Sequence, residues 1–137
     1  MKWVYVIINK IINFLISGNN NNKNKGESVY KQLNKEYTIE NINTLSKTYP
    51  VIILKHSERC SVSLRVLKDY INFFDKNKDN YIFLIVEVRN NKLFSQKISD
   101  FYSVKHESPQ ILIIKDKKCF FNRSHENIDF EFIKNNF

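Results

Sequence analysis

Two cysteines are the residues best suited to do chemistry in this chain of 137 residues. Cys60 follows the apolar run VIILK (51–55) and precedes a segment whose apolar residues have helical spacing. A thiol at a strand-to-helix junction faces the amide groups of the helix N-terminus, whose partial positive charge favours the thiolate. Arg59 adds positive charge beside it, and the thiolate is the form that attacks disulfides. Cys60 is therefore a candidate nucleophile, and the alternative is a small buried apolar residue.

Ser63 lies three residues after Cys60, where one helical turn brings its hydroxyl beside the sulfur. The hydroxyl could donate a hydrogen bond to a thiolate there. In dithiol redox motifs this position holds the resolving cysteine, so the sequence C-x-x-S excludes a disulfide across the turn. We predict Cys60 and Ser63 as catalytic residues. The alternative for Ser63 is an ordinary serine in the first turn of a helix.

Four further residues are predicted to contact the substrate: His56, Arg59, Ser108 and Pro109. His56, placed in the loop before Cys60, is a candidate polar contact or proton donor to a leaving thiol, or only a hydrogen-bonding partner of the loop. Ser108-Pro109 precedes a predicted strand, where the bond is a candidate cis peptide or a trans proline that begins an edge strand. Cys119 lies beside two phenylalanines in KCFFN (118–122), which favours a buried inert thiol over a resolving one.

The spacing of apolar residues predicts the elements that position these side chains. In chain order they are a short helix opened by Thr38 or Glu40, a strand at 51–55, a helix at 62–74, a strand at 81–88, a helix at 93–102, a hairpin of 111–115 and 118–122, and a last helix capped by Asn127 or Asp129. The β-α-β unit favours a right-handed parallel crossover. The whole order predicts an α/β fold with helices on both faces of a mixed sheet, which is thioredoxin-like, although other α/β folds share it.

The N-terminal region differs in composition from the rest. Residues 3–16 have the pattern of an amphipathic helix of about 21 Å, shorter than the roughly 30 Å core of a bilayer. This segment is predicted to lie at a membrane surface, to be a signal-like stretch, or to dock on the domain. Residues 17–28 contain no apolar side chain and are predicted to be an Asn-rich linker, so we expect the domain to occupy residues 29–137.

Charge and cysteine content exclude several classes of function. The net charge is +8, but residues 1–28 supply +3 of it and the rest is spread along the chain. The abundance of Asn, Lys and Ile is typical of an AT-rich genome, so no nucleic-acid partner is expected. Two cysteines are too few for a disulfide scaffold, which favours the reducing cytoplasm. With only three scattered histidines beside them, no metal site is expected.

Three segments carry a resemblance to a known family: VIILKHSERCSVS (51–63), YSVKHESPQILIIKDKK (102–118) and Ser124-His125. From residue 29 to the C-terminus the chain resembles the monothiol bacilliredoxins of the YtxJ type, redox proteins of the bacillithiol system in the thioredoxin superfamily. The resemblance implies a thioredoxin fold, Cys60 as the sole catalytic thiol and a cis Pro109 beside it. It further implies no bound cofactor, with bacillithiol as a low-molecular-weight thiol co-substrate. Ser61 stands where the family often has proline.

The sequence therefore predicts a monothiol oxidoreductase that removes bacillithiol from mixed disulfides on proteins through Cys60. Ser108-Pro109 is expected to hold the mixed disulfide. Basic residues near the reactive turn are expected to attract an anionic thiol; they are Lys55, Arg59, Arg65 and Lys105. The alternative is a non-catalytic thioredoxin-fold module, tethered to a membrane surface by residues 3–16, that binds a partner through the Cys60–Pro109 face.

Overall fold

A computed structural model describes residues 38–77 and 79–137. Its elements are α1 (Ile39–Leu45), β1 (Val51–His56), α2 (Ser61–Asn77), β2 (Ile82–Glu87), α3 (Lys92–Phe101), β3 (Gln110–Lys115), β4 (Lys118–Ser124), a 3-10 turn (His125–Asn127) and α4 (Phe130–Asn136). The predicted N-terminal helix, its membrane contact and the linker lie outside the described residues. Within the described ranges, no helix is long and apolar enough to cross a membrane.

The four strands form one mixed sheet in the order β2-β1-β3-β4. β1 pairs with β2 in parallel, and β3 pairs antiparallel with both β1 and β4. The parallel pair is joined through α2, which confirms the predicted β-α-β unit, and the β3–β4 hairpin is confirmed as well. In the register, His56 lies opposite Glu87 and Lys55 lies opposite Gln110.

Alternation along the strands divides the core into two layers. One layer joins the sheet to α2 and α4 and contains Ile52 and Leu54. The other joins it to α1 and α3 and contains Val51 and Ile53. The two residues that end β1 follow the same alternation, so Lys55 lies on the α3 face and His56 lies on the α2 face.

Local signals explain where several elements begin and end. The Thr38 side chain accepts a hydrogen bond from the Asn41 amide in a capping box, and Asp129 caps α4. Asp116 and Lys117 have positive φ angles of 48° and 66°, the geometry of a tight two-residue hairpin turn. Three strands are longer than predicted: β1 continues through His56, β3 begins at Gln110 and β4 continues through Ser124. His56 thus belongs to a strand and not to the following loop.

Candidate functional site

Four segments of the chain meet at one end of the sheet. β1 and β2 both end there because they are parallel, whereas β3 begins there and β4 ends there. This end holds the loop 57–60, the Ser108-Pro109 bond and the Ser124-His125 pair. The topology therefore brings together the three segments that carry the sequence motifs.

Cys60 lies directly before α2 and is half-buried. Its amide donates to the Ser57 carbonyl at 3.2 Å, which closes a tight turn after β1. Its carbonyl accepts from the Leu64 amide at 3.0 Å, the first hydrogen bond of the helix. Arg59 is exposed beside it. Cys60 thus directly precedes a 17-residue helix whose first turn holds no acidic residue.

Ser63 is fully buried one turn into α2. Its hydroxyl accepts a hydrogen bond from the Ser57 amide at 2.8 Å and lies 2.9 Å from the Nδ1 atom of His56. The side chain therefore ties the start of α2 to the end of β1. The C-x-x-S spacing predicts a hydrogen bond from Ser63 to Cys60, whereas the hydrogen bonds of the Ser63 hydroxyl within the described residues are with Ser57 and His56.

His56 is 1% exposed, packed between β2 and the first turn of α2. Burial lowers the pKa of His56, while the carboxylate of Glu87 and the hydrogen bond with Ser63 act in the opposite direction. The imidazole is therefore predominantly neutral at neutral pH. The imidazole contacts the hydroxyl of Ser63. Because almost none of the His56 side chain is exposed, it is not accessible for the predicted contact with substrate.

The Ser108-Pro109 peptide bond is cis, as predicted. Pro109 is buried, and its carbonyl accepts from the His125 amide at 2.9 Å. The Ser108 hydroxyl is buried without a hydrogen-bond partner among the described residues. The proline loop is thus fixed to the segment that follows β4.

A second set of contacts holds the same loop. The Ser124 hydroxyl donates to the carboxylate of Glu107, and Lys105 lies 3.4 Å from the other oxygen of that carboxylate. The hydrogen bond from Ser124 and the charge of Lys105 lower the pKa of Glu107. Gln110 donates to the Lys105 carbonyl at 2.8 Å, so the loop is closed at its base as well.

Cys119 has a different environment. It lies at the start of β4 opposite Ile114, toward the other end of the sheet from Cys60. Its thiol donates to the Phe121 carbonyl at 3.3 Å, and burial raises the pKa of Cys119. Burial outweighs the neighbouring hydrogen bonds and the charge of Lys55, which act in the opposite direction, so the sulfur stays protonated and poorly nucleophilic.

Lys55 corrects one sequence expectation. It was expected to attract an anionic thiol, but it is 0% exposed and points toward α3. Its Nζ atom donates to the Ser95 carbonyl at 2.9 Å and to the Ser99 hydroxyl. Burial lowers the pKa of Lys55 to about 8, and Asp100 acts in the opposite direction. The lysine is therefore a buried polar residue of the core and does not meet solvent.

Glu87 is a buried acidic residue at this end of the sheet that the sequence analysis missed. It ends β2 and is 1% exposed; one carboxylate oxygen accepts from the Asn90 amide at 2.8 Å, and the other, Oε1, has no hydrogen-bond partner among the described residues. The sequence signal for this residue was a carboxylate inside the apolar run YIFLIVEV (81–88). That Glu87 lies opposite His56 is evident only from the register of the two strands. In the described ranges, no group of three His, Cys, Asp or Glu side chains could hold a metal ion.

Comparison with known proteins decides the family. The family model described as monothiol bacilliredoxin BrxC matches residues 31–133, which include Cys60, Ser63 and Pro109. The chain belongs to the monothiol bacilliredoxin family. Membership in this family makes the protein a thiol–disulfide oxidoreductase and confirms the resemblance seen in the sequence.

Solved structures similar to this chain confirm the thioredoxin fold. A protein described as a presumed oxidoreductase with a thioredoxin fold is 25% identical, with a TM-score of 0.60 over 67% of this chain and 80% of that one. Thioredoxin from Fasciola hepatica is 18% identical, with a TM-score of 0.57 over 71% and 86% of the two chains. Mitochondrial thioredoxin 3 from Saccharomyces cerevisiae, in its oxidized form, is 12% identical, with a TM-score of 0.52 over 70% and 83%.

Proposed function

We propose that this bacilliredoxin removes bacillithiol from mixed disulfides on proteins, with Cys60 as the attacking sulfur. The Cys60 thiolate attacks the bacillithiol sulfur, a Cys60–bacillithiol disulfide forms, and the protein thiolate leaves and takes a proton from solvent. A second bacillithiol thiolate then attacks the adduct. That step releases bacillithiol disulfide and regenerates the Cys60 thiolate, so the electrons come from free bacillithiol.

The observation that carries this proposal is the placement of a single thiol, Cys60, at the sheet end where the family's segments meet. One turn later the chain has Ser63, so the adduct on Cys60 has no neighbouring thiol in the motif to resolve it. Cys119 lies toward the opposite end of the sheet with a protonated, hydrogen-bonded sulfur. A second low-molecular-weight thiol is therefore the natural resolving group.

The surroundings of Cys60 support specific roles for its neighbours. We propose that the helix amides and the exposed Arg59 stabilise the thiolate and that Ser63, one turn later, donates to it when the thiolate forms. The backbone beside Ser108 and Pro109, held by its contacts with Glu107 and the segment after β4, provides an edge against which a mixed disulfide can lie. Three exposed basic residues remain to attract an anionic thiol; they are Arg59, Arg65 and Lys105. We propose that residues 29–137 form the domain that carries out this chemistry.

The test uses the full chain and a carrier protein with one bacillithiolated cysteine, with release followed by mass spectrometry in the presence of free bacillithiol. We expect Cys60→Ser to reduce the release rate at least about a hundredfold, to that of free thiol alone, because no other thiolate is positioned to attack. Cys119→Ser is the matched control and should stay within about twofold of wild type.

Other outcomes would change the proposal. If Cys119→Ser halted turnover with an adduct trapped on Cys60, Cys119 would be a resolving thiol. If neither substitution mattered, the non-catalytic binding module would replace the enzyme. Equal rates with carriers modified by glutathione or coenzyme A would remove bacillithiol as the specific substrate.

A further inference from the structure

A buried lysine lies beneath the proline loop, the segment 103–109 that joins α3 to β3. Lys55 is 0% exposed, and its Nζ atom donates to the Ser95 carbonyl at 2.9 Å and to the Ser99 hydroxyl. Burial lowers the pKa of Lys55 to about 8, so the ammonium is still mostly charged at pH 7. Both acceptors are neutral and offset only part of the cost of burying this charge. Packing alone therefore does not account for a lysine at this position.

The two serines that contact Lys55 also hold the proline loop. Ser95 and Ser99 are both buried and lie four residues apart, on one face of α3. The Ser95 hydroxyl lies 2.8 Å from the Nε2 atom of His106 in the loop. The Ser99 carbonyl accepts from the Val104 amide at 3.0 Å. Each serine thus contacts the lysine through one of its oxygens and the loop through the other.

The other end of the proline loop is fixed to the strand that carries Lys55. Gln110 pairs with Lys55 in the register of β1 and β3, and its Nε2 atom donates to the Lys105 carbonyl at 2.8 Å. Pro109 directly precedes Gln110, so it lies beside the end of β1, where the turn to Cys60 begins. Pairing with β1 therefore fixes one end of the loop, and α3 fixes the other. The contacts of Lys55 join β1 to α3 and so hold the two ends at a set separation.

We propose that Lys55 is a positioning residue that acts through the two serines and holds the proline loop in the shape that a mixed disulfide requires. The inference rests on the proposed function in taking the backbone beside Ser108 and Pro109 as the edge against which the disulfide lies. Lys55 touches neither the substrate nor the sulfur, and no bond forms or breaks at it. Its charge strengthens two hydrogen bonds between β1 and α3 that an apolar side chain of similar length does not make.

An apolar replacement separates this role from ordinary packing. Methionine has a similar length and removes the buried charge. Without the lysine, the Ser99 hydroxyl can donate to the Ser95 carbonyl one turn earlier, so the substitution leaves it with a partner. Replacing a buried charge by a well-packed apolar group is often neutral or stabilising. We therefore expect Lys55→Met to unfold at pH 7 at no lower a urea concentration than wild type, while it loses function.

The test makes three further measurements on the full chain at pH 7. We expect Lys55→Met to lower kcat/KM for bacillithiol release from the modified carrier about tenfold, because the disulfide is less well oriented. Hydrogen exchange at the Val104 amide should become about tenfold faster. Alkylation of Cys60 by iodoacetamide, which does not use the proline loop, should stay within about twofold of wild type. Lys97→Met removes an exposed lysine from the same helix and should match wild type in all three measurements.

Several results would overturn the proposal. If alkylation slowed as much as release, or if the urea midpoint fell together with activity, Lys55 would support the whole fold and not the loop. Unchanged release and unchanged exchange would refute the positioning role directly. If the wild type itself did not release bacillithiol, the proposed function would fail, and the exchange measurement would still decide whether Lys55 holds the loop.

A second variant covers the case in which Lys55→Met does not fold. Ser95→Ala removes the hydroxyl that contacts His106 and keeps the carbonyl that binds Lys55. We expect it to lower kcat/KM for release about threefold and to speed exchange at the Val104 amide, with alkylation of Cys60 unchanged. Wild-type release and exchange in this variant would show that the serine contacts do not position the loop, and the proposal would be wrong.

Discussion

The two cysteines of this protein show how strongly position controls the chemistry of a thiol. Cys60 lies half-buried in a turn directly before a long helix, with the exposed Arg59 beside it in the chain. Cys119 lies in a strand, with its thiol donating to a carbonyl and its pKa raised by burial. The two residues have similar exposure classes, so exposure alone does not distinguish them. Their positions in the fold do: Cys60 directly precedes a helix of 17 residues, whereas Cys119 lies in a strand, where burial outweighs the neighbouring hydrogen bonds and raises its pKa.

The largest effect that this comparison predicts is in alkylation. In the native protein at pH 7, iodoacetamide should modify Cys60 about a hundredfold faster than Cys119, because only thiolate reacts. Peptide mass spectrometry over a time course measures both rates in one sample. In 8 M urea, on the order of the concentration that unfolds small domains, the two rates should converge, since both environments are lost. Comparable rates in the native state would contradict the comparison.

The position of Cys60 was easier to predict from the sequence than the arrangement of the buried polar residues near it. The apolar runs at 51–55 and 81–88 and the helical spacing between them were sufficient to place Cys60 at a strand-to-helix junction, and the family motifs supplied the cis Pro109. Both predictions depend on local pattern, which is why they could be made from one sequence.

The buried polar residues could not be predicted in the same way. Lys55 and His56 are adjacent in a segment whose sequence is also compatible with a strand followed by a loop. Their side chains lie on opposite faces of the sheet only because β1 continues through His56. The neighbours of Glu87 depend on the parallel register between β1 and β2, which no local pattern encodes. The carbonyl of Ser95 that receives Lys55 belongs to a helix 40 residues away.

The second prediction concerns Lys55, whose ammonium lies close enough to lower the pKa of Cys119, although burial outweighs it. The pKa of Lys55 is about 8 in the folded protein and 10.5 ordinarily. Between these values the folded protein binds fewer protons than the unfolded chain, so the free energy of unfolding contributed by Lys55 rises with pH. Below pH 8 the charged, buried lysine destabilises the fold.

Urea unfolding of wild type and Lys55→Met at pH 7 and pH 9.5 tests this linkage. We expect the wild type to gain about 2 kcal/mol relative to the variant between the two pH values. The raised pKa of the buried Tyr70 affects both proteins, so its contribution cancels in the difference. An identical difference at both pH values would show that Lys55 keeps its ordinary pKa in the fold.

The smallest effect is expected from Cys119→Ala. The substitution removes a half-buried sulfur and one weak hydrogen bond to the Phe121 carbonyl, so the free energy of unfolding should fall by about 1 kcal/mol. The rate of bacillithiol release should remain within about twofold of wild type, since the sulfur lies toward the far end of the sheet from the reactive turn. Urea unfolding and the release assay on the same preparation measure the two quantities. If the variant lost more activity than its lower stability explains, Cys119 would contribute to the reaction at Cys60. The two thiols would then not have the separate roles argued above.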